Sequence, residues 1–369
     1  MLSSGWSLTM NLRYRAVVSL STALTATALS VALAVPAQAT TPGWRVVSST
    51  HYGAATNYSG YMTVIAPSQL DAWTFGGSDL SGASTAVPVA EHWAGGSWSA
   101  GILPTAVISS AKSAIEAASA VSPNNIWAVT QFGGFVLHWN GSWQVAKQLP
   151  GSGQLTGITA ISATNVWAFG SGGFTGGLGT WHYNGITWTL QTGNASGIAS
   201  ASALSASNIW AIGSDGSSPQ DAIVHYTGTA WQSEMATVLT GLQFNRILAI
   251  SATNVWASAE NPANGRAGFL VHFDGSHWSK VTPPWTVVTS DPAPDGQGGI
   301  WLTAQDSSGH SWVAHRSASG SWTRTLIGST PTFLPAVAHI PGTTSLWGAG
   351  ALANGTATNA AIWAYGVIP

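Results

Sequence analysis

Hydrophobic positions in this chain come in short runs, each closed off by small polar residues. In the clearest stretch, Gly157–Ser162 is a run of small and β-branched residues, and Ala163-Thr164-Asn165 breaks it. Val166–Gly170 is a second apolar run, followed by a glycine-rich span from Ser171 to Gly177. Thr180–Tyr183 and Thr187–Leu190 are two more, separated by Asn184-Gly185. Runs this short, bounded by Asn and Gly, predict strands joined by tight turns. Asn tolerates the left-handed region and bonds its own backbone, and Asn-Gly favours a two-residue hairpin. The spacing shows no helical period, so the segment predicts four antiparallel strands.

The same order recurs down the chain. Trp73, Trp127, Trp167, Trp210, Trp256, Trp301 and Trp347 mark the second run of each copy. Trp98, Trp143, Trp188, Trp231, Trp278 and Trp322 mark the fourth. A period of about 45 residues with four short strands per copy predicts an all-β fold, a seven-bladed β-propeller of four-stranded antiparallel blades. The seventh copy ends after its third run, Ala361–Gly366, and Gly43–Val47 near the other end reads as a fourth strand without its first three. The two pieces complete one blade, so the N- and C-terminal strands are expected to pair and leave no open edge.

Composition refines this picture at the start of the chain. Arg13 and Arg15 precede the apolar span Ala16–Ala34, and Ala37-Gln38-Ala39 is a small-x-small cleavage site. Residues 1–39 therefore read as a cleaved signal peptide, with Met10 an alternative start. Pro36 interrupts the run before a comfortable spanning length of about 20 residues, and no second such run follows. The expected mature chain, 40–369, is a single propeller domain without a membrane span, secreted to an extracellular setting. Arg13 and Arg15 leave with the leader, which makes the remaining chain more acidic than the net −2 of the whole. No basic cluster occurs, so a nucleic-acid partner is not expected. With no cysteine, disulfides and thiolate metal sites are excluded. Only 6% of residues are charged, so the surface must be built from Ser, Thr, Gly, Asn and Gln.

The turn between third and fourth runs, Asp274-Gly-Ser-His-Trp278, resembles the Asp-box hairpin. Asn140-Gly-Ser-Trp143, Asn184-Gly-Ile-Thr-Trp188 and Gly95-Gly-Ser-Trp98 are degenerate copies. The chain thus resembles secreted bacterial seven-bladed propellers with Asp-box-like (BNR/kelch-like) repeats. That resemblance covers essentially the whole mature chain. It implies a fold shared by sialidases, other glycoside hydrolases, sugar-binding proteins and assembly factors, and leaves the activity open.

Six histidines sit at one place in the third runs: His92, His138, His182, His225, His272 and His315. On neighbouring blades they stand too far apart to share a metal at about 2 Å per ligand, so they read as packing residues. Trp363 stands where the seventh copy would carry its histidine. No metal and no cofactor is expected. The repeated tryptophans read as glue between blades, which leaves Trp181, Trp285 and Trp312 as ligand candidates. The connections from second to third and from fourth to next first strand share one face, the expected ligand mouth. Asp79, Asp215, Asp221, Glu260 and Asp306 fall there, with Arg246, Asn261, Arg266 and His310 nearby. Glu260, Arg266 and Arg246, followed by Trp285, form the densest polar grouping.

The motifs needed for several activities are missing. No sialidase arginine set, Gly-x-Ser-x-Gly elbow or His-Glu-x-x-His occurs. The expected function is a non-catalytic, monomeric binding propeller for a glycan or an extracellular or cell-wall polymer, with Glu260, Asn261, Arg266, Arg246, Trp285, Asp306 and His310 as ligand contacts. Two alternatives stand beside it. One is a glycoside hydrolase- or lyase-like enzyme using Glu260, Asp306, Asp79 and Asp215, which needs a carboxylate pair about 5–9 Å apart. The other is a protein-interaction scaffold.

Overall fold

A computed structural model describes residues 43–369, except 55–56, 81–85, 111–112, 171–177, 192–195, 215–221, 262–267, 286–287, 307–309 and 329–331. The expected signal peptide, residues 1–39, lies outside the described residues, as do Asp215, Asp221, Arg266 and the glycine-rich span from Ser171 to Gly177. Among the described residues no helix is long and apolar enough to cross a membrane.

The chain forms seven four-stranded antiparallel sheets. Six use their strands in sequence order, from the channel-lining first strand to the outer fourth. The seventh is composite: Trp44–Thr50 is its outer strand, paired antiparallel with Ala357–Tyr365. Trp44 stands opposite Tyr365, as Trp98 stands opposite Trp93 and Trp143 opposite Trp139 in the first two blades.

This register corrects one expectation. The strand-two tryptophans pair with the histidines (Trp73 with His92, Trp127 with His138), but Trp347 pairs with Ala364. Ala364, not Trp363, takes the histidine place in blade seven. Trp363 points to the other face, into the apolar cluster that joins blades six and seven. A second difference is a six-residue helix, Thr105–Ser110, between blades one and two. Its Val107 is fully buried in the same apolar cluster as Leu103, which precedes the helix, and Pro104 stands just before the first turn.

Each apolar cluster joins two neighbouring blades, which is why the ring holds together. The strand-two tryptophan of one blade meets the outer tryptophan of the next nearly edge-on: Trp73 with Trp143 at 90°, Trp167 with Trp231 at 85°, and Trp347 with Trp98 at 81°. Edge-to-face contact sets the positive ring rim against the negative face. The same tryptophan also meets the residue after the next blade's histidine: Trp139 on Trp73, Tyr183 on Trp127, Tyr226 on Trp167, Phe273 on Trp210. In blade six that place is Arg316, whose guanidinium lies 4.8 Å from the Trp256 ring centre, a cation–π contact in place of an aromatic one.

The histidines complete the unit. Each stacks flat on its own blade's tryptophan, with centroids 3.9 to 4.4 Å apart from Trp210–His225 to Trp167–His182. Its Nε2 bonds the side-chain oxygen two residues before the tryptophan: Asp71, Asn125, Asn165, Asn208 or Asn254. Burial holds His138, His182, His225 and His272 below the usual imidazole pKa, and Arg316 adds to this at His272. Blade six has Gly299 at the asparagine position, and Asp295 reaches in from four residues earlier to hold His315 at 2.9 Å. A Cβ on Gly299 would lie 2.3 Å from that carboxylate, so the glycine makes room for the substitute. Burial works against the charge of Asp295, but His315 and the N–H groups of Gln297 and Gly299 outweigh it and lower its pKa.

Candidate ligand-binding mouth

Every inner strand carries an irregularity near its mouth end, seen between Tyr61 and Thr63, Ile115 and Ala117, Leu155 and Gly157, and Phe244 and Arg246. Such bulges re-aim side chains. Arg246 in blade five stands opposite Ser258, and Asp291 lies within the corresponding irregularity of blade six. The two side chains meet across the blade boundary, with Arg246 Nε 2.8 Å from Asp291 Oδ1. Asp291, with a smaller contribution from Glu116 on the inner strand of blade two, raises the arginine pKa against the cost of burial. The channel mouth therefore holds a paired cation, and its partners, Asp291 and Glu116, are absent from the residues that sequence reasoning selected.

Glu260 is not a loop residue. It ends the second strand of blade five, paired with Gln243 on one side and Gly268 on the other, and is 9% exposed. Asn261 follows it directly, half-buried. Asp79 closes the second strand region of blade one in the left-handed conformation, with φ of 51°. Of the expected grouping of Glu260, Arg266, Arg246 and Trp285, Arg266 lies outside the described residues. Arg246 turns to Asp291, and Trp285 packs against blade six, edge-on to Trp322 with centroids 5.7 Å apart.

A different set converges on the mouth side of blade six. Asp306 holds two of these residues: Oδ1 accepts the N–H of His310 at 3.0 Å, and Oδ2 accepts Trp312 Nε1 at 3.0 Å and lies 3.3 Å from His310 Nδ1. Trp312 in turn carries the Arg324 guanidinium 4.2 Å from its ring centre, and Trp285 stands 5.0 Å from the same group. Trp285, Asp306 and His310 were selected from the sequence as ligand contacts, and Trp312 as a ligand candidate. Arg324 was not, because it lies in the middle of an outer strand where a charged residue looks like ordinary solvated surface.

The scaffold engages most of the described carboxylates. Asp71 and Asp295 hold histidines, Asp274 closes a hairpin through the N–H groups of Ser276 and His277, and Glu234 takes Trp278 Nε1. Glu91, 5% exposed on the third strand of blade one, accepts Tyr52 Oη at 2.8 Å and Thr50 Oγ1 at 3.2 Å, with Ser48 Oγ 3.4 Å away. This group ties the closing strand of blade seven to blade one. Burial, with the Glu91 charge, raises the pKa of Tyr61, whose hydroxyl bonds Tyr52. Among the described residues no group of three or more His, Cys, Asp or Glu side chains is gathered as a metal site.

No protein-family model matches the chain, and no curated protein matches it. Its likeness is to solved structures. YCF48 bound to a D1 peptide superposes with a TM-score of 0.58 at 14% identity, over 90% of this chain and 100% of that one. YCF48 from Cyanidioschyzon merolae gives 0.57 at 13%, over 88% and 98%. The β-propeller domain of Cps50 (Swd1) from Myceliophteria thermophila gives 0.55 at 10%, over 87% and 99%. At such identities the likeness shows the fold: this protein is a seven-bladed β-propeller.

Proposed function

We propose that this is a secreted, non-catalytic, monomeric binding propeller for a glycan or other extracellular polymer, acting through the mouth-side patch of blade six. The observation that carries this reading is the half-buried pair Trp285 and Trp312 beside an exposed guanidinium, with Asp306 and His310 bonded to each other nearby. Aromatic faces with a few fixed polar groups suit a sugar ring, which presents apolar C–H surfaces and hydroxyls together. The carboxylates support the non-catalytic reading: Asp306 is committed to His310 and Trp312, and Asp291 to Arg246. The leader at 1–39 supports export. YCF48 carries a bound peptide in its solved form, which makes a protein partner the competing reading.

A polysaccharide array tests this. The mature protein is expected to be retained on at least one polymer, and Trp312→Ala is expected to weaken retention about tenfold, the scale of one lost aromatic contact with its buried area. The variant, which also loses the bond to Asp306, should melt lower but still unfold cooperatively, so that retention is compared between folded proteins. Retention on no polymer, or equal retention by the variant, contradicts the reading.

A further inference from the structure

Blades five and six repeat one arrangement at the same place. Lys280 and Arg324 are each two residues beyond the outer-strand tryptophan, Trp278 and Trp322. Each lies over the aromatic residue three before the blade's histidine. Lys280 Nζ is 3.7 Å from the Phe269 ring centre, and the Arg324 guanidinium 4.2 Å from that of Trp312. Corresponding positions in other blades hold Ala100, Val145, Leu190, Ser233 and Val46, so the repeat itself does not require a cation. Both side chains are exposed, and among the described residues neither has an acidic partner or a hydrogen bond. The other inward-turned arginines do: Arg246 has Asp291, Arg45 donates to the Gly366 carbonyl, and Arg316 to that of Ser317.

Two flexible cations have thus been fixed on aromatic rings with their N–H groups left to solvent. Ring contact satisfies the flat face of a guanidinium and leaves its donor edge available for a carboxylate or sulfate. The connection from blade five to blade six carries Trp285, whose ring centre lies 5.0 Å from the Arg324 guanidinium. Phe269 faces blade four, whereas Trp285 and Trp322 pack at the boundary of blades five and six, so Lys280 and Arg324 set one unpaired positive charge at each of two successive blade boundaries, in a chain whose net charge is −2.

We infer that the polymer held on this outer mouth-side surface is an acidic glycan, its rings resting on Trp285 and Trp312 with one carboxylate or sulfate on Arg324, and a further one reaching Lys280 at the neighbouring blade boundary. This rests on the glycan-binding reading above and adds the charge of the ligand. Repetition on neighbouring blades matches a polymer with charged groups at successive residues, since two weak contacts on one chain reinforce each other.

Retention of the full mature protein is measured on polygalacturonate, its fully methyl-esterified form, a neutral β-1,4-galactan and poly-glutamate, at low and high salt. Polygalacturonate is expected to bind at least about tenfold better than the ester or the galactan, with that preference reduced by salt. The double variant Lys280→Gln, Arg324→Gln should lose the preference while keeping its melting temperature and any residual neutral binding, whereas Trp312→Ala should weaken acidic and neutral polymers alike. Equal binding of the esterified or neutral polymer overturns the acidic specificity and leaves the glycan reading standing. Binding of poly-glutamate without any polysaccharide, or of nothing at all, overturns both.

Discussion

A chain shortened to begin after Thr50 is expected to lose its cooperative fold. Trp44–Thr50 is the outer strand of blade seven, and its removal bares the edge of Ala357–Tyr365. That edge is almost wholly apolar and buried, including Ala360, Ala361, Ile362 and Trp363. An exposed strand of this kind invites pairing with other chains. The loss reaches blade one as well, because Ser48 and Thr50 leave Glu91. A buried carboxylate that loses hydrogen bonds costs about 1–3 kcal/mol, and the missing Trp44 packing adds to it. Against a total stability of about 5–15 kcal/mol, the sum is enough to open the ring. Near-ultraviolet circular dichroism and size-exclusion chromatography should show a flattened tryptophan signal and aggregation. A soluble monomer that melts within a few degrees of the parent would contradict this.

Truncating one interblade tryptophan has the next largest effect. Trp347 is 1% exposed and meets Trp93 and Trp98 of blade one, each with centroids 5.0 Å apart. Blade seven has no histidine on this tryptophan, since Ala364 stands there, so its worth is packing alone. Trp347→Ala is expected to cost about 3–5 kcal/mol in denaturant unfolding, the scale of a buried aromatic replaced by a cavity. Val367→Ala, at an exposed position, should change stability by less than about 0.5 kcal/mol. Equal effects for the two would remove the tryptophans from their role between blades.

Most of the fold was legible because the repeat is local. Asn165, Trp167, His182 and Trp188 lie within one stretch of chain, and their order recurs with small changes. The register of the last strand was not. In Ala357–Tyr365 nearly every residue is buried on both faces, so no alternation tells Trp363 from Ala364. Nor does a sequence show that Asp295 replaces the asparagine missing at Gly299, since the exchange works only in three dimensions. The mouth was read in part. Asp306, His310, Trp285 and Trp312 stood out as rare residues near the correct connections. Arg324 and Glu91 were hidden inside strands, where position alone suggests surface or core. Asp291 could be joined to Arg246 only once the inner-strand irregularities were aligned between blades.

The closed ring rests on the pairing of two segments from opposite ends of the chain, and the lack of cysteine makes that pairing easy to test. Ser49 stands directly opposite Ala361. Directly opposed residues of an antiparallel pair lie at about 4.5–5.5 Å between Cα atoms, within reach of a disulfide. The double variant Ser49→Cys, Ala361→Cys is expected to form one intramolecular disulfide under mild oxidation, read as the loss of two thiols by mass. Closing so long a loop should also raise the melting temperature, on a scale of about 4 kcal/mol. Two thiols that stay free and unbridged in the folded, oxidised protein would contradict the closure of blade seven by Trp44–Thr50.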